Sequence, residues 1–148
     1  MNHTDIFPAP WRALLSGAVT ALFLACLPVL AKAQTGTPMN AEQFDSYTRG
    51  QTFTFGTGSS PYGAEEYLEN RRVHWSFLDG RCQEGEWYED SGMICFVYED
   101  NPDPQCWSFY QTPDGIVATF EDDPAQTTLY EITRSPEPLM CLGPDVGA

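Results

Sequence analysis

From Glu65 onward the chain alternates apolar and polar residues in short runs, separated by turn residues at intervals of about 10 to 14, the rhythm of an antiparallel meander. Residues 72–78 set Val73, Trp75 and Phe77 on one face and His74 and Ser76 on the other, and Asp79-Gly80 predicts a hairpin. Residues 82–88 form the next run. Asp90-Ser91-Gly92 turns the chain into Met93–Tyr98, where Ile94, Phe96 and Tyr98 share a face. After a loop over 99–104, residues 105–111 place Trp107 and Phe109 opposite Cys106 and Tyr110. Pro113-Asp114-Gly115 predicts a turn, because proline presets the first φ and glycine accepts the left-handed position. Strands over 116–120 and 127–133, joined by an acidic loop, complete the series, and residues 135–148 form an irregular tail. Ahead of the meander, Asn40 with Gln43 forms a capping box, Phe44 and Tyr47 share a helical face, and Gly50 ends the turn. The helix so predicted spans Ala41–Thr48. Residues 51–55 alternate with Phe53 and Phe55 on one side, and the glycines, serines and proline of 56–63 read as a loop. The fold class is all-β: a small antiparallel meander or partly closed barrel of about 7 to 8 strands with one short N-terminal helix.

The first 33 residues follow another pattern. Residues 13–31 form an apolar run interrupted mainly by Ser16, Gly17, Thr20 and Pro28, preceded by Arg12 and followed by Ala31-Lys32-Ala33. This predicts a secretory signal peptide over 1–33, cut after Ala33, and one domain over 34–148 that is periplasmic or secreted and free of the membrane. Pro28 and the small-residue site argue against a retained membrane helix. The apolar run continues past Cys26 to Leu30, which argues against a lipid anchor on that cysteine.

Export changes the meaning of the cysteines. Four remain beyond the leader, Cys82, Cys95, Cys106 and Cys141, an even set that predicts two disulfides in an oxidising compartment. Three pairings are open; the preferred one is Cys95 with Cys106, set opposite each other by a hairpin near Asp100 and Asn101, and Cys82 with Cys141. No C-x2-C pair exists, so no zinc site and no other cofactor is expected.

Charge narrows the partners. The full chain carries a formal charge of -14, and loss of Arg12, Lys32 and Asp5 with the leader leaves 5 cations against 20 carboxylates, with no lysine. Such a surface excludes nucleic acid, which needs a basic stripe, and attracts cationic partners. Tyr62, Tyr67, Tyr88, Tyr98 and Tyr110 neighbour acidic loops, and tyrosine is enriched where proteins meet. The predicted recognition patch consists of Tyr88, Tyr98, Tyr110, Glu99, Asp100 and Asp103.

The helix ending at Gly50, followed by Phe53, Phe55, Trp75, Asp79-Gly80, Cys82, Gly85, Trp87, Cys95-Phe96 and Cys106-Trp107, resembles small exported bacterial proteins of a family with no assigned function. The resemblance covers most of the chain after the leader. It implies an exported β-rich domain stapled by disulfides and carries over no catalytic residue.

Candidate chemistry is sparse. His74 is the one histidine beyond the leader and would be a general base, with Glu84 or Glu86 as its orienter. Glu84 and Glu86 also share a strand face, as a hydrolytic carboxylate pair would. Solvent-exposed decoration is the preferred account of all three. The loops Glu89-Asp90, Glu99-Asp100-Asn101 with Asp103, and Glu121-Asp122-Asp123 lack EF-hand spacing and read as solvated turns rather than calcium sites. The leading expectation is an acidic, non-enzymatic binding or inhibitory module for a cationic protein or peptide. The alternatives are a barrel holding a small apolar ligand and, below that, a small hydrolase centred on His74.

Overall fold

The computed structural model describes residues 36–123 and 125–142. The signal peptide and cleavage site expected over 1–33 lie outside the described residues. Eight strands follow one another around a closed barrel: β1 Thr52–Thr57, β2 Ser60–Tyr67, β3 Arg72–Ser76, β4 Gln83–Asp90, β5 Met93–Tyr98, β6 Asn101–Thr112, β7 Gly115–Phe120 and β8 Thr128–Ser135. Every neighbouring pair is antiparallel, and β1 pairs with β8 to close the ring. Closure leaves no unpaired edge, and eight strands enclose an interior just wide enough for side chains or one small ligand.

The period-2 pattern decides what fills it. Phe53, Phe55, Val73, Trp75, Trp87, Ile94, Phe96 and Phe109 are buried in one cluster. One end of the barrel is stopped by the helix α1, Ala41–Thr48. Asn40 caps it as the sequence predicts, its side chain accepting from the Gln43 amide while the Gln43 side chain accepts from the Asn40 amide. Phe44, on the inner face, has no exposed surface, and its ring centre lies 5.4 Å from Tyr67, 5.1 Å from Trp87 and 4.5 Å from Phe109. Beside it, Glu131 accepts from the Tyr47 hydroxyl at 3.0 Å and the Ile116 amide at 2.9 Å, fastening the helix to β7 and β8.

The disulfides are Cys82–Cys141 and Cys95–Cys106, the preferred pairing. Cys95 and Cys106 are register partners on β5 and β6. Cys141 ties the segment after β8 back to the 77–82 loop, where the Leu142 amide donates to the Gly80 carbonyl at 2.6 Å. Two such bonds fit an oxidising environment. Among the described residues, no helix is long and apolar enough to cross a membrane.

Three expectations need correction. The segment 56–63 is not a loop: only Gly58 and Ser59 turn, and β2 starts at Ser60, with Pro61 opposite Gly56 where the β1–β2 register shifts. Likewise β6 starts at Asn101, and Pro102 and Pro104 fall where the β5–β6 register shifts between Phe96 and Tyr98. A bulge leaves a backbone position without a ladder partner, so it tolerates a residue lacking an N–H, and these prolines mark irregular strand rather than loop. Phe77, expected in the core, is 55% exposed because β3 ends at Ser76 and the chain leaves the sheet before the alternation reaches it.

Candidate functional site

Among the described residues, the end opposite α1, ringed by the connections at 58–59, 77–82 and 99–100 and by residues 121–123 and 125–127, carries no such stopper. A cavity of about 80 Å³ lies there inside the barrel. Its walls are mainly Phe55, Trp75, Phe96, Trp107 and Leu129; Tyr62 and Phe77 stand at its rim. A space of that size is several times what one water requires and about half the cavity that takes up benzene in an engineered protein.

Two glycines shape the walls. A methyl group on Gly63 would collide with the Trp75 indole, and one on Gly85 with the Tyr98 ring, so the missing side chains on β2 and β4 let these two rings approach the neighbouring backbone. Trp75 then packs edge-on against Phe77 at 5.4 Å and within 6.1 Å of Tyr62, which continues the aromatic lining from the interior to the rim.

The chemically distinctive residue is Glu65. It points inward from β2, is 4% exposed and lines the cavity. The Tyr98 hydroxyl donates to its Oε1 at 2.7 Å and the Tyr67 hydroxyl to its Oε2 at 3.0 Å. Burial pushes its carboxyl up to about 7, opposed by the hydrogen bonds from Tyr98 and Tyr67. Both phenols are held well above their ordinary 10, first by burial and then by the adjacent Glu65 charge, so they remain donors. Gln83 and Gln105 are the other polar residues on the lining, which holds no Arg, Lys or His.

Of the residues expected to form a recognition patch, Tyr98 is in the interior and not on the surface, because it shares the inward face with Phe96. Tyr88 is exposed, as a surface tyrosine should be, and the Tyr110 hydroxyl donates to Asp122 Oδ1 at 2.6 Å. Asp103 is exposed on β6. Glu99 and Asp100 line an open groove beside the barrel mouth together with Asp79, Glu84, Phe77 and Leu142.

His74 is on the outer face of β3, 3.2 Å from Glu66 Oε2 and 3.9 Å from Glu84 Oε1. Glu66, which the sequence reading passed over, is its nearer partner, and the Leu139 amide also donates to it. Glu84 and Glu86 are both exposed, opposite His74 and Arg72 respectively. Neither carboxylate enters the cavity lining. Among the described residues, no group of three or more His, Cys, Asp or Glu is placed to hold a metal ion.

Glu65 itself was missed. A signal was present in the pair Glu65-Glu66: on a strand two adjacent residues face opposite sides, so one of them had to point inward. No protein-family model, no curated protein and no solved structure matches the chain, and the site is read from its own geometry.

Proposed function

We propose that the protein is a non-enzymatic barrel, exported to the periplasm or beyond the cell, that binds a small, mainly apolar ligand in its interior. The observation that carries this reading is the cavity of about 80 Å³ at the end away from α1, aromatic on its walls and polar at Glu65. Ligand pockets are typically apolar with a few placed polar groups, and this one opens toward an exposed aromatic rim at Tyr62 and Phe77. The apolar run and cleavage motif before Gln34, with the two disulfides, support export.

The test is a methyl NMR titration of the oxidised protein with benzyl alcohol. Saturable shifts at Ala118 and Leu129, which line the cavity, are expected, and the Leu129 shift is expected to be lost in Ala118→Leu, which fills the space. Shifts confined to the outer face, or no saturation, would overturn the reading.

A second reading, a docking site for a cationic peptide, draws support from the groove beside the mouth, where Asp79, Glu84, Glu99 and Asp100 outnumber Arg81, which pairs with Asp79, and His74. It predicts capture of a basic partner that elutes at a defined salt concentration and is lost on Glu99→Gln with Asp100→Asn. Unchanged capture in that variant would count against it.

A further inference from the structure

We propose that the ligand class is an organic ammonium, its positive nitrogen seated against Glu65 and surrounded by the aromatic rings of the cavity. The inference rests on the cavity being a ligand site and adds the charge of what enters it.

Three observations carry it. The first is a carboxyl inside the barrel with no cationic partner. Burying a carboxylate is costly unless an opposite charge joins it. Every arginine beyond the leader is engaged elsewhere. Arg49 pairs with Asp45, Arg72 with Glu84 at 3.6 Å and Arg81 with Asp79 at 3.2 Å. Arg71 lies over the Trp87 ring and Arg134 over the Tyr47 ring, each at 4.7 Å. Among the described residues no cation therefore balances Glu65, and a ligand can supply the charge.

The second is the direction of the hydrogen bonds. Tyr67 and Tyr98 donate one bond to each oxygen, which prepares Glu65 as an acceptor and an anion and disfavours any ligand carboxylate or phosphate beside it. The third is the wall. Trp75, Tyr98 and Trp107 line the same space, and aromatic rings attract a cation most strongly where water is excluded. The formal charge of -14 acts in the same direction at long range, drawing cations toward the protein.

Affinity should then follow the ionisation of Glu65. The titratable groups facing it from the packed strands are Tyr67 of its own strand and Tyr98 of β5, and both stay protonated through the neutral range. His74, Glu66 and Glu84 belong to the outer face.

The experiment compares choline with its uncharged carbon isostere, 3,3-dimethylbutan-1-ol, by the same methyl titration, at pH 5.5 and pH 8 in the oxidised protein and in Glu65→Gln. The variant keeps the shape of the side chain and a neutral group at a site that holds a protonated carboxyl below pH 7, so it preserves the barrel. At pH 8 choline is expected to bind about tenfold or more tighter than the isostere, with the gap shrinking at pH 5.5 and vanishing in Glu65→Gln. Equal binding of the two at pH 8, or a gap that Glu65→Gln leaves intact, overturns the ammonium inference and leaves a barrel that binds neutral ligands. Saturable binding of benzyl alcohol with none of choline also overturns it. If none of the three probes binds, both the inference and the ligand-binding reading fail.

Discussion

Replacing Glu65 with Gln removes the buried carboxyl from the barrel, and its effect on stability must depend on pH in a calculable way. In the native state the carboxyl sits at about 7 against an ordinary value of 4.5. Between these values the native protein keeps a proton that the unfolded chain has released, so stability falls as pH rises across the window. Below about pH 4.5 both states are protonated and above about pH 7 both are ionised, and the contribution stops changing. At about 1.4 kcal/mol per pH unit, the loss across the window comes to about 3 kcal/mol. Glutamine has no such proton. The other carboxylates are the same in both proteins, so the difference between wild type and Glu65→Gln isolates this one group. Urea denaturation at a series of pH values from 4.5 to 8 measures it, and the variant should gain about 3 kcal/mol on the wild type over that range. A difference that stays constant to within about 0.5 kcal/mol would mean that the Glu65 carboxyl is solvated and not buried.

Other perturbations test the frame around the site. Phe44→Ala should cost about 3 to 5 kcal/mol in urea denaturation, since it empties the fully buried centre of the helical stopper. Gly63→Ala should cost about 1 to 3 kcal/mol and alter the near-UV circular dichroism, because the added methyl displaces the Trp75 indole. Cys82→Ser with Cys141→Ser releases a link across 59 residues, worth about 4 kcal/mol by chain entropy, and should remove hydrogen-exchange protection from the Leu142 amide while leaving the barrel amides protected at native conditions.

The parts of the structure that were legible in the sequence are those governed by neighbouring residues. Asn40 and Gln43 are three positions apart and satisfy each other's backbone, so the start of α1 is written locally. Met93–Tyr98 pairs with the strand carrying Cys106 through a short connection, and the Cys95–Cys106 bond followed from it. Closure was harder to see. Thr52 pairs with Ser135, and nothing near either residue signals a partner so far along the chain. The prolines at 61, 102 and 104 read as loop because local preference cannot reveal a register shift in a neighbouring strand. Tyr98 was counted both as an inward residue of its strand and as a surface tyrosine; alternation gave the correct side, and composition gave the wrong one. Glu65 was hidden by the general expectation that glutamate is exposed, although its place between Gly63 and Tyr67 on one strand face put it inside.

The mouth end of the barrel holds an open space beside Glu65, which we propose receives a ligand. A crystal structure of the oxidised protein, purified without denaturation and grown at pH 8 with choline, tests it most directly. Density for the trimethylammonium group is expected among Trp75, Tyr98 and Trp107, in contact with the Glu65 carboxylate. Indole rings collapsed across the space, with Glu65 enclosed by protein atoms alone and choline absent, would contradict it.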